Sequence, residues 1–213
     1  MKQTFSVTEA VSTGWQKTIK NLWFWVLIIA ISIAVSSFFS AVNAVISKNQ
    51  DLATLSFAVS LISFVFSIII QIGITKVAIA EVDSKKSTVA ELFINWDFFG
   101  NYLLGSILVG LIVFAGIILL IVPGIIWGLK YSMFPYLVID KGMGAVEAMQ
   151  ESSRLTMGHK WQLFGFALLK GLIALAGLLA LVVGLFLALP TTTIAQAKIY
   201  RDLQGLAKAK ENS

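Results

Sequence analysis

The 213-residue chain has no cysteine, a single histidine and few charges, which make up 13% of its residues. Each scarcity removes a class of chemistry. Without cysteine there is no disulfide framework, no thiol nucleophile and no thiolate metal site. A metal site at His159 would need partner ligands that the sequence does not supply nearby. With 58% hydrophobic residues and a mean hydropathy of +0.88, too little polar surface remains for a soluble globule of this size. The net charge of +5 comes from cations in short segments between apolar runs. It lacks the basic stripe with interleaved aromatics that marks nucleic-acid binding. Anionic lipid headgroups account for the charge better, so membrane lipids are expected partners and nucleic acid is not.

What the chain does have is long apolar runs. Taken at roughly 20 apolar residues per crossing, they predict six spans, at residues 22–46, about 56–82, 102–122, 124–139, 163–183 and 184–199. The first is far longer than the roughly 7–15-residue core of a signal peptide and reads as a retained anchor. The fourth and sixth are short, which predicts thinned bilayer or a polar indentation beside them. Three polar starts precede the paired runs: Ser6-Val7-Thr8-Glu9, Thr88-Val89-Ala90-Glu91 and Gly144-Ala145-Val146-Glu147. Each places glutamate three residues after a residue suited to an N-cap. The hairpins that follow end at Asp83, Asp140 and Asp202.

The predicted fold class is therefore an all-α membrane protein, with six transmembrane helices as three hairpin units, each preceded by an interfacial amphipathic helix. A single membrane domain spans 1–213, with pseudo-repeats 5–83, 87–140 and 144–202 and a polar cytoplasmic tail, 203–213. The surface helices are read from apolar residues at helical spacing: Val7, Val11, Trp15; Val89, Leu92, Phe93, Trp96; Val146, Met149, Ser153, Met157. Ordinary cytoplasmic loops are the alternative. Trp23, Trp25, Trp96 and Trp161 stand where the first span of each unit meets the headgroups and read as interface anchors.

Charge sets the orientation. Lys48 falls on one side, and Lys76, Lys130 and Lys170 fall within spans; the other Lys and Arg residues gather on the side that holds both termini. The positive-inside rule makes that side cytoplasmic. The outer turns are minimal, at 47–51, at Pro123-Gly124 and near Val183-Gly184, leaving no outer domain to bind anything large.

Units two and three align at an offset near 60, pairing Gly105 with Gly165, Gly110 with Gly171, Gly116 with Gly177 and Gly124 with Gly184. A small-residue stripe recurs in their second helices, Gly124, Gly128, Ser132 and Gly184, Ala188, Thr192, with Ser67, Gln71 and Thr75 as the counterpart in unit one. Small residues at this spacing let helix backbones approach in lipid. They predict an inner layer in which the three second helices meet on their small faces. Alternatively, they close each hairpin on itself.

The most specific stretch, residues 122–164, reads VPGIIWGLKYSMFPYLVID and then EAMQESSRLTMGHKWQLF after a short link. It resembles a bacterial family of polytopic membrane proteins of unknown function, related to the membrane domain attached to some glycerophosphodiester phosphodiesterases. The resemblance implies a multi-pass protein of the bacterial cytoplasmic membrane. It marks Pro123, Gly124, Tyr131, Ser132, Pro135, Tyr136, Glu147, Ala148, Ser152, Gly158 and Trp161 as family-defining, and it carries over no catalytic residue. On physical grounds Pro123 and Gly124 make the tight outer turn. Pro135 kinks the fourth helix and frees a carbonyl near Tyr131 for Ser132 or Tyr136 to satisfy. Gly158 ends the surface helix.

Lys130 and Lys170 are the sharpest oddities, because a charge at the bilayer centre costs about 2.5–3.5 kcal/mol on insertion scales and needs a partner. With Ser132 they form a candidate anion or lipid-headgroup site; snorkelling or carbonyl pairing is the structural alternative. No catalytic, cofactor or metal residue is assigned. Three functions compete. The first is a non-enzymatic permease-like or scaffolding component working with a cytoplasmic partner or as a homo-oligomer. The second is a small transporter or lipid- or anion-handling protein. The third, an intramembrane enzyme, lacks paired acids or a nucleophile set.

Overall fold

The first helix begins where the sequence places its cap. In the computed structural model, which describes residues 4–48, 52–180 and 184–211, Ser6 Oγ accepts from Glu9 N at 3.2 Å and opens α1, Val7–Lys20. Asn21 alone separates it from α2, Leu22–Ile46, which pairs with α3, Ala53–Val82. A 3-10 turn, Val89–Leu92, leads to α4, Trp96–Leu119. Then come α5, Ile121–Lys130, α6, Phe134–Lys141, α7, Ala145–Leu155, α8, Lys160–Leu179, and α9, Leu185–Glu211. The described residues contain no strand.

Among the described residues, five stretches are long and apolar enough to cross a membrane: α2, α3, α4, the broken pair α5–α6, and α8. They fit a multi-pass membrane protein. α9 is not among them: its apolar part is short and soon meets Lys198, Arg201 and Asp202, and the 27-residue helix runs on past Asp202 through a charged end in which Leu203 is buried. The outer turn at Asn49 to Asp51 and the turn at Val183 lie outside the described residues.

Burial separates the helices into two kinds. α2 buries only Trp25 and Ile28, α4 only Tyr102, Gly105 and Gly116, and α8 only Leu163, Phe166 and Gly177. By contrast, the C-terminal part of α3, nearly all of α6 and the middle of α9 supply the core, with Ile72, Val77, Leu137, Ile194, Ile199 and Tyr200 at or near zero exposure. The core therefore sits at one end of the bundle. Away from it the apolar residues of α2, α4 and α8 stay uncovered, as lipid-facing surface would be.

Several local expectations need correction. The chain turns at Leu120, whose backbone is extended, and Pro123 and Gly124 lie inside the first turn of α5. A proline there loses no hydrogen bond, since the first turn's N–H groups lack partners anyway. Gly124 has no positive φ. It is needed instead for contact, because a Cβ there would lie 2.4 Å from Ile117 Cγ1 and 2.9 Å from Ile117 N, and one at Gly116 would lie 2.8 Å from Gly124 Cα. Gly177 and Gly184 meet in the same way across α8 and α9. These glycines thus bring α4 against α5 and α8 against the start of α9, while Gly128 meets only Val113, at 3.9 Å.

The surface segments also differ from one another. In unit two the expected helix is a four-residue 3-10 turn, and Thr88 makes no side-chain cap. α1 docks on α9 through Ala10, Gly14 and Thr18, leaving Trp15 exposed and Val7 and Val11 half-buried. α7 buries Ala145, Ala148, Met149, Ser152 and Leu155, whereas Val146 and Met157 are exposed. Gly158 closes it with φ +87°, as its position suggests. Among the tryptophans, Trp23, Trp96 and Trp161 are exposed, but Trp25 is 1% exposed and belongs to the core rather than to an interface.

Candidate functional site: an arginine clamp at the charged end of the bundle

α9 carries Tyr200, Arg201 and Gln204 at the level where α3 and α6 end. The guanidinium of Arg201 forks twice. Nε and one terminal nitrogen donate to Asp83 Oδ1 and Oδ2 at 2.9 and 2.7 Å; the terminal nitrogens also donate to Asp140 Oδ2 and Oδ1 at 2.6 and 2.8 Å. Gln204 Oε1 accepts from Arg201 at 3.0 Å. Tyr200, stacked on Tyr136 with centroids 5.4 Å apart, donates its hydroxyl to Asp140 Oδ2 at 2.7 Å. Two of the three aspartates that the sequence marks thus share one cation. The third, Asp202, pairs with Lys198, which also lies 3.7 Å from Glu9 of α1.

Only a planar five-donor group can bridge two carboxylates in this manner. Burial acts to raise the pKa of Asp83, but hydrogen bonds and charge from Arg201, with help from Lys85, outweigh it and hold the carboxyl below its ordinary range. Burial likewise acts against the charge on Arg201, and the bonds to Asp140 and Asp83 overcome it, raising its pKa. Carboxylates held so firmly are poor general bases. The chemistry of the cluster is to tie three helices together.

A second polar knot holds the break between α5 and α6. Pro135 has no N–H for the Tyr131 carbonyl, which accepts from Phe134 N at 3.2 Å instead. The Lys130 carbonyl left free finds partners on α7 and its C-cap: Ser152 Oγ donates to Lys130 O at 2.9 Å and accepts from Met133 N at 3.1 Å, while Thr156 Oγ1 donates to Lys130 O at 3.1 Å. The freed carbonyl is thus that of Lys130, and neither Ser132 nor Tyr136 satisfies it. Ser132, in the break itself, donates its Oγ to Leu129 O of α5 at 2.8 Å.

The three residues of the candidate cationic site have separate partners. Lys130 Nζ lies 5.1 Å from the centroid of the Tyr131 ring, and exposed Lys170 donates to Gln196 Oε1 of α9 at 3.0 Å. Lys76 reaches Asn95 Oδ1 at 3.2 Å. His159 is buried, with Nδ1 3.0 Å from Gln162 Oε1 and its ring 5.9 Å from that of Phe5. Glu147 is exposed on α7.

Sequence reasoning singled out the lone aspartates but not their shared partner. Arg201 counted only as one more inner-side cation, although its position beside the last aspartate was the available signal. The Ser152 contacts to residues 130 and 133 carry no such signal, because they span about twenty positions and follow no helical spacing.

The family profile described as Protein of unknown function (DUF975) matches residues 55–207, so the chain belongs to that family. No curated protein and no solved structure matches it.

Proposed function

We propose that this member of an uncharacterised family is a multi-pass component of the bacterial cytoplasmic membrane that performs no reaction itself and serves as a permease-like or scaffolding subunit. In this reading six crossings form three pseudo-repeated hairpins, with both termini and the charged connections inside. α1 and α7 lie along the inner surface, and their exposed residues face lipid or a cytoplasmic partner. The likeness of residues 122–164 to phosphodiesterase-attached membrane domains belongs to the same reading.

The observation that carries it is the clamp. The carboxylates and the guanidinium gathered at the charged end hold one another, which suits a rigid platform better than a reacting centre. The equivalent glycine contacts in the last two hairpins support the repeat. Photo-crosslinkers placed at Val146 and Met157 in native membranes should give one discrete adduct, either a second copy or one cytoplasmic protein. No adduct at either position would remove the scaffold reading.

A second reading, a small transporter or anion-handling protein, draws on Lys130, Lys170 and Ser132. Among the described residues neither lysine has a carboxylate partner, so both charges are open to an anion. Solute flux through reconstituted protein that Lys130→Met abolishes would favour this reading over the first.

A further inference from the structure

Between the α1–α2 joint and the end of α3 lies a cavity of about 540 Å³, walled by Lys17, Lys20, Lys85 and Lys86. We propose that it is a binding site for a phosphate group, carried by an anionic lipid headgroup or by a small soluble phosphate ester. The convergence is not local in sequence. Two lysines come from the last turn of α1 and two from the segment after α3, some 65 positions away.

The charge within the cavity is only partly matched. Lys17 donates to the Glu81 carbonyl and to Ser84 Oγ, and Lys85 lies 3.4 Å from Asp83, a carboxylate already held by Arg201. The Glu81 carboxylate, the one acid lining the cavity, accepts both of its bonds from Asn21 Nδ2, at 2.9 and 3.1 Å. Lys20 and Lys86 have no partner among the described residues. Four lysines against one lining glutamate leave a positive site.

Two independent features point to an oxygen-rich ligand. Ser87 lines the cavity with its hydroxyl buried and without a hydrogen-bond partner, a condition that interiors rarely tolerate. The N-terminus of the 25-residue helix α2 opens beside the cavity at Asn21 and Phe24, with no side-chain cap and no acid in its first turn. Uncapped N–H groups and the positive end of the helix dipole favour an anion there. Three elements thus bring donors to one place, where the single lining carboxylate, Glu81, is held by Asn21. Trp23, 83% exposed on the same turn of α2, sits where an indole at the headgroup boundary would.

The proposal is independent of the scaffold reading, since a platform or a transporter could each hold a phosphate here. The test uses the whole chain purified in zwitterionic detergent. It is titrated with inorganic phosphate, glycerol 3-phosphate, short-chain phosphatidylglycerol and, as a phosphate-free control, short-chain diacylglycerol, with binding read by native mass spectrometry. Phosphatidylglycerol binding is expected to weaken about tenfold in Lys20→Gln/Lys86→Gln, while the charge-matched Lys141→Gln/Lys208→Gln stays near wild type. Because Lys20 and Lys86 have no partner, that variant should melt at the wild-type temperature. Ser87→Ala should weaken binding without lowering the melting temperature. Binding of phosphatidylglycerol alone identifies a lipid source, and binding of the soluble esters as well identifies phosphate in general; both support the site. It is overturned if no probe binds, if the phosphate-free diacylglycerol binds equally well, or if the two double variants lose binding alike.

Discussion

Arg201 is where a single substitution should reach furthest. It bridges the ends of α3 and α6 from α9, so Arg201→Ala leaves two carboxylates facing each other without their cation. Removing one partner of such a pair typically costs about 3–5 kcal/mol, and the lower end applies here because the side chains are about one-fifth to one-quarter exposed. Thermal unfolding in detergent should show the loss, and Arg201→Lys should recover little of it, since one ammonium cannot fork to both aspartates. The pH dependence follows from Asp83. Its pKa is lowered on folding, so its stabilisation is fully present above the unfolded aspartate value of about 3.9 and disappears as pH falls through the lower folded value. The melting temperature should therefore lose the clamp's contribution only below about pH 4, and Arg201→Ala should flatten that acid limb. Ser152→Ala tests the second knot: with the Met133 N–H buried and unpaired, a loss of about 1–3 kcal/mol is expected by the same measurement.

At the scale of elements, the α4–α5 and α8–α9 pairs depend on glycines whose neighbours leave no room. Gly124→Ala puts a methyl group into the Ile117 backbone and should cost about 1–3 kcal/mol. Gly110→Ala meets nothing within 4 Å and should be neutral or stabilise by about 0.5–1 kcal/mol. Melting temperatures of the two variants should move in opposite directions or differ clearly in size. Gly116, Gly124, Gly177 and Gly184 were legible in the sequence as a recurring pattern, but the pattern alone allowed either contact between hairpins or closure within one. Neighbouring side chains decide that, and these are not visible in spacing. The same holds for α1. Its apolar stripe was readable, yet its packed face is the small-residue one, where the α1 backbone comes close to Thr191 and Ala195 of α9. Hydropathy reports what avoids water and cannot separate a face buried in protein from one buried in lipid.

For the whole molecule, length and composition were enough to give an all-helical chain with long apolar spans. Helix existence follows from long runs that the backbone must satisfy internally in lipid. Other features escaped because they depend on distant partners: the break at Lys130–Met133 held by α7, the continuation of α9 past Asp202, and the gathering of the core at one end. The charged end is also the buried end, which couples orientation to stability. The absence of native cysteine makes the topology directly measurable, since any introduced thiol is the only one. Cysteines substituted one at a time for Lys48, Lys141 and Lys208 can be challenged in intact cells with a membrane-impermeant maleimide. Labelling of Lys48→Cys from outside, with Lys141→Cys and Lys208→Cys labelled only after the cells are opened, is the predicted result. Labelling of all three from outside, or of none until opening, would contradict a bundle threaded through the membrane with its arginine clamp on the inner side.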